Sequence, residues 1–301
     1  MSRFLALLAL GLFLPAPLDA RPPDEMVEIK AGDPVSIRAD RAYILFRTVR
    51  PEGVPSVEPV FLRIPTSAEM ERYAAAKRAA YAQAEPGLIR QREEQLRRKA
   101  EAEASGKSFK GEIPPSPSLD TFNFVYDEVA NVQRVDDGGA LVKGKPESVY
   151  LVEVPAGDYI LYGAAYGSGT VKPALFACMC LGTVGFPAPA GVVTDLGYFM
   201  GDRVEHISKI PELKAESGFG PSSVAVFTPL GATVRPVGAA TAVPDVLRGA
   251  AVRPAAYRAI GRFVEPRAIT VNRLAPVPGI LAYEGRRVID VKTGKDAPRS
   301  R

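Results

Sequence analysis

The stretch Ser148–Phe199 most limits what this chain can fold into. It holds two β-rich runs, Val149–Val154 and Tyr159–Tyr162, joined by Pro155-Ala156-Gly157-Asp158. Proline presets φ at one turn position, and glycine two residues on can take the left-handed conformation, so the segment reads as a hairpin. Pro189-Ala190-Gly191 repeats the device ahead of Val192-Val193-Thr194. A chain that turns twice in this way is built from short strands.

Other β-rich runs lie on either side. Val35–Ile37, Tyr43–Val49, Pro59–Ile64 and Phe122–Tyr126 precede the stretch, and Val224–Phe227, Ile269–Val271 and Ile280–Tyr283 follow it. Proline and glycine punctuate the chain between these runs, the pattern of a mainly β, antiparallel sandwich or barrel. Two helical stretches interrupt it. Residues 66–105 are rich in Ala, Glu, Lys and Arg, and Thr66 with Glu69 forms a capping-box signature. Pro86-Gly87 predicts two helices there, or one with a sharp kink. The first half carries a stripe of Met70, Tyr73, Ala80, Tyr81 and Ala84, while the second is charged nearly all round and reads as a solvated insertion. Residues 244–260 predict two short helices, the second opening at Pro254.

The first residues read as a targeting segment. Arg3 is followed by the apolar run Phe4–Leu14 and by Pro15–Ala20, with cleavage expected after Ala20. The apolar run is too short to span a membrane, no later run is long enough, and no cysteine near residue 21 offers a lipid anchor. The expectation is an exported protein, periplasmic or otherwise associated with the cell envelope, and not a lipoprotein. Residues 21–25 read as a disordered leader, 26–291 as one β-rich domain, and 292–301 as a flexible tail.

Little in the chain points to chemistry. The net charge of +4 is far from that of a dedicated nucleic-acid binder, and one histidine cannot supply a catalytic zinc site of the usual kind. Cys178-Met179-Cys180 leaves three readings open: two buried thiols, a local disulfide, or a soft metal or redox site. On a strand, Cys178 and Cys180 share one face and Met179 takes the other, so the three sulfurs do not converge. His206 has Asp202, Glu205 and Ser208 nearby, but the chain has no Gly-x-Ser-x-Gly elbow. A small hydrolase or a metal or redox protein using Cys178, Cys180 and His206 is the alternative reading. No cofactor is implied.

From Arg248 onward, twelve basic residues face four acidic ones. Arg253, Arg258, Arg262, Arg267 and Arg273, interleaved with Tyr257 and Phe263, are the candidate binding residues. Such a face suits an anionic envelope polymer, a lipid surface or another envelope protein.

The run Val152–Tyr159, followed by Pro189–Gly197, resembles the strand-turn-strand pattern of prealbumin-like and carboxypeptidase-regulatory-like β-sandwich domains. It is also similar to uncharacterised exported proteins of bacterial envelopes. The resemblance implies an Ig-like or prealbumin-like sandwich and a non-catalytic module, and it assigns no functional residue.

Overall fold

The computed structural model describes residues 25–49, 56–126, 129–167, 175–203, 230–263 and 270–299. The targeting segment expected at 1–20 and the run 224–227 lie outside these residues. The described residues are mainly β, with 37% of them in strands against 19% in helix.

Strands β1 (Val27–Ile29), β2 (Ala42–Val49) and β3 (Ser56–Arg63) precede helix α1 (Ser67–Ala104). After it come β4 (Val132–Arg134), β5 (Glu147–Val154), β6 (Gly157–Gly167), β7 (Leu175–Cys178), β8 (Thr183–Ala188) and β9 (Val193–Arg203). The C-terminal part adds β10 (Leu230–Arg235), β11 (Val252–Pro254), β12 (Arg258–Ile260), β13 (Leu281–Glu284), β14 (Arg287–Asp290) and β15 (Lys295–Asp296).

They form two six-stranded sheets and one three-stranded sheet. The first runs β1-β5-β2-β9-β10, with β11 also on β9, and the second runs β12-β8-β6-β3-β4, with β7 also on β6. The third is β13-β14-β15. One apolar cluster draws on all three: Ile44 and Phe46 from β2, Phe61 from β3, Phe186 from β8, and Leu281 and Val288 from the small sheet. β2 is buried on both faces, since Tyr43 and Leu45 enter a second cluster with Leu151, Val193 and Leu247. This explains its near-continuous apolar run.

Topology departs from the sequence reading at the Pro-Ala-Gly turns. Neither closes a hairpin. Val154 at the end of β5 pairs with Ala42 in the first sheet, whereas Gly157 at the start of β6 pairs with Ala188 in the second. The other turn leads from β8 in the second sheet to β9 in the first. Both are corners between sheets, and they lie close together because β6 begins opposite the end of β8. The physical reason is occupancy: β5 is flanked on both sides by β1 and β2, which leaves no edge for β6.

The first sheet is also not purely antiparallel. β9 runs parallel to β2 and to β11, a consequence of its arriving from the other sheet rather than from a hairpin.

Four further expectations are corrected in whole or in part. Of the two alternatives at Pro86, two helices is overturned: residues 67–104 form one helix that continues through it, where the bond lost to the Ala82 carbonyl falls on a solvent-exposed turn. In 244–260 there is one 3₁₀ turn, Asp245–Leu247, and then β11 and β12, so the two short helices are not formed. Phe122–Tyr126 forms no strand and joins no sheet. Its alternate rings pack on the helix instead: Phe122 against Tyr81, and Phe124 and Tyr126 against Tyr73. The segment read as a tail is packed as well, with Ala297 buried in the shared core and Gly261 N–H donating to the Pro298 carbonyl.

Candidate binding surfaces

Cys178 and Cys180 are bonded to each other, with their Cα atoms 5.2 Å apart. Strand alternation holds at this point. Both sulfurs enter an apolar cluster with Val60, Tyr162 and Ala165, while Met179 points into the shared core. Phe176 and Phe263 stack on either side of Tyr162 in that cluster. Backbone bonds from Cys178 N–H to the Thr270 carbonyl and from Asn272 N–H to the Cys178 carbonyl fasten the segment to the C-terminal chain. Neither cysteine is more than 2% exposed, and a disulfide carries no thiolate to ligate a metal or attack a carbonyl. His206 lies outside the described residues.

The candidate basic residues are distributed over different elements. Arg253 is exposed on β11 of the first sheet, and Arg258 sits on β12 of the second, paired with Asp158 at 3.0 Å. Arg262 is exposed just beyond β12. The Arg273 guanidinium lies 4.4 Å from the centre of the Tyr283 ring. Arg267 lies outside the described residues.

Several ionic groups escaped the sequence reading, Arg41 with Glu153 among them, and two of the most buried join separate elements. Arg47, only 2% exposed, donates to both carboxylate oxygens of Asp195 at 2.7 and 3.2 Å and to the Ala242 carbonyl at 2.6 Å. The register between β2 and β9 shifts between Leu45 and Arg47. Beside that irregularity, Gly197 N–H donates to Asp195 at 2.9 Å. Gly197 has φ +79°, and a Cβ there would lie 2.2 Å from the Arg235 carbonyl oxygen, so only glycine fits. Tyr257 donates to the Leu196 carbonyl, and burial, reinforced by the Asp195 charge, pushes its phenol well above the usual tyrosine value.

The second group fastens the helix. Arg63 at the end of β3 and Glu69 in the first turn of α1 form a buried two-armed pair, at 3.0 and 2.6 Å. Glu69 also accepts from the Thr66 N–H at 2.6 Å and from its hydroxyl at 3.0 Å, completing the capping box. The Arg63 hydrogen bonds are the main reason its carboxyl drops from 4.5 to about 2, helped by those from Thr66. Glu69 is the one buried residue of the helix. Beyond this anchor the rings of Phe122, Phe124 and Tyr126 pack along one side of the helix. Tyr73, Ala80, Tyr81 and Ala84 of the expected stripe are half-buried, while Met70 is exposed.

At the foot of the helix lies a cleft of about 280 Å³, lined by Pro65, Glu69, Met70, Tyr73, Phe124, Tyr126, Val129 and Asn131. Its signal in the sequence was the alternation Phe122, Phe124, Tyr126, which reads equally well as a strand. No family model, curated protein or solved structure matches the chain.

Proposed function

We propose that this is an exported, non-catalytic protein of the cell envelope that binds or supports an anionic partner, built on a prealbumin-like β-sandwich. The observation that carries this reading is the buried Cys178–Cys180 disulfide. Such bonds persist in oxidising compartments, and the same bond withdraws from chemistry the one sulfur cluster that a metal or redox site would use. The sandwich is supported by two six-stranded sheets that share one core cluster. Among the described residues no helix is long and apolar enough to cross a membrane. The exposed guanidinium groups of Arg253 and Arg262 are the proposed contacts, with polymer or lipid phosphates and carboxylates as counter-charges.

The full chain, produced by export, should show no reactive thiol after denaturation without reductant. It should be retained on vesicles containing phosphatidylglycerol or on isolated cell-wall polymer, and released as salt rises through a few tenths molar. The double change Arg253→Gln, Arg262→Gln should abolish most of that retention. Two free thiols in the exported chain, or retention indifferent to both salt and the double change, would overturn the reading.

A further inference from the structure

The cleft at the foot of α1 is separate from the basic residues and differs from them in chemistry. Three of its lining residues are aromatic. Tyr73, Phe124 and Tyr126 form a triangle with ring centroids 5.7, 5.9 and 6.0 Å apart, and their planes are inclined to one another by 35° to 74°. Rings so inclined do not form one flat stack, and they line the space from different directions. Among the described residues the single charged lining residue is Glu69, and none is basic. Arg63 is not among the described lining residues, so of the Arg63–Glu69 pair the acidic member is the one that borders the cleft. Met70 adds a soft, half-exposed thioether at the rim, and Asn131 adds an amide.

We propose that this cleft is a binding site for a small organic cation of the methylated-ammonium type, held against the Tyr73, Phe124 and Tyr126 rings beside the Glu69 carboxylate. Three features favour a cation over a neutral or anionic ligand. Ring faces carry negative quadrupole density, and a cluster of rings is the usual receptor for a weakly hydrated ammonium group. The Arg63–Glu69 pair turns its acidic member towards the cleft, and the dipole of the pair adds a smaller attraction of the same sign. An anion would meet both without a compensating cation among the described lining residues. The volume suits a headgroup-sized ligand, and the aromatic walls with two polar groups match the makeup of small-ligand sites. The proposal stands apart from the anionic partner assigned to Arg253 and Arg262, and either can fail alone.

The test is titration of the full chain with choline, tetramethylammonium and the neutral choline isostere 3,3-dimethylbutan-1-ol, followed by calorimetry and by the tyrosine ring resonances. Both cations should bind saturably, shift the Tyr73 and Tyr126 ring signals, and bind about tenfold or more tightly than the isostere. Phe124→Leu should weaken choline about tenfold, whereas Tyr73→Phe, which keeps the ring, should change it less than about twofold. If Phe124→Leu lowers the helical signal, the ring shifts of the unaltered protein decide alone. Phosphatidylcholine vesicles separate the sources: retention that free choline competes away assigns a lipid headgroup, and choline binding without retention assigns a soluble cation. No saturable binding, equal affinity for the alcohol, or unmoved tyrosine signals would overturn the proposal.

Discussion

The sheets and the helical arm solve opposite problems. In the sheets, apolar strands are buried on both faces, and charges that enter meet opposite charges, as Arg47 does Asp195. The arm has 38 residues with one of them buried, and its charges pair locally, as with Glu94 and Arg98 or Lys99 and Glu103. The two regions meet at Arg63–Glu69, where a sheet strand and a helix N-terminus share one ion pair. Stability should therefore be cooperative and costly to disturb in the sheets, local and cheap to disturb in the arm, and intermediate at the joint.

The largest test of that contrast is Asp195→Ala. It leaves the buried Arg47 guanidinium with only Glu147, a solvent-exposed carboxylate 3.9 Å from its Nε, and removing one member of a buried pair costs about 3–5 kcal/mol. Urea unfolding followed by far-ultraviolet circular dichroism should show a lower midpoint for the whole transition. Replacing both members, Arg47→Met with Asp195→Leu, should cost less than Asp195→Ala alone, because no uncompensated charge remains. Were the double change no better than the single one, the pair would be contributing specific attraction rather than merely avoiding a buried charge.

At the joint the expected effect is smaller and depends on pH. The Glu69 carboxyl is depressed from 4.5 to about 2 by Arg63 and Thr66. A depressed carboxyl contributes stability that is complete above its unfolded value and is lost as pH falls through the folded one. The foot of the helix should hold above about pH 4.5 and loosen progressively towards pH 2. Amide exchange in 67–74 should report this. In Glu69→Gln the same amides should already exchange faster at neutral pH, by about 2 kcal/mol of lost protection, and that loss should not grow between pH 4.5 and 2. A wild-type profile flat across that window would place the anchor elsewhere.

What the sequence disclosed follows the range of the interactions involved. The capping box at Thr66 and Glu69 was legible because both its partners lie within one turn. The opposite facing of Cys178 and Met179 was legible because strand alternation is local. The Pro-Ala-Gly corners were misread, since the same three residues suit a hairpin and a change of sheet, and the choice is made by β1 and β2, far away in the chain. The aromatic cleft was hidden for a similar reason: Phe122, Phe124 and Tyr126 alternate as a strand would, and only the helix beside them shows what they cover. Arg47 and Arg63, each set in a β-rich run, were warnings that a carboxylate must meet them. One partner lies six residues away and the other 148, and only the first lies within local reach.

The smallest effect belongs to the arm, and Arg98→Ala isolates it. Arg98 pairs with Glu94 one helical turn back, and both side chains are about half exposed. Pairs of this spacing contribute about 0.3–0.5 kcal/mol on a solvated helix and are weakened by salt. The change should speed amide exchange along 90–104 by no more than about threefold, and 0.5 M salt should reduce the difference. The urea midpoint of the sheets should not move, because nothing in that stretch of helix is buried against them. A clear shift of that midpoint would mean that the arm and the sheets unfold as one unit, with the Arg63–Glu69 joint transmitting order rather than merely ending it.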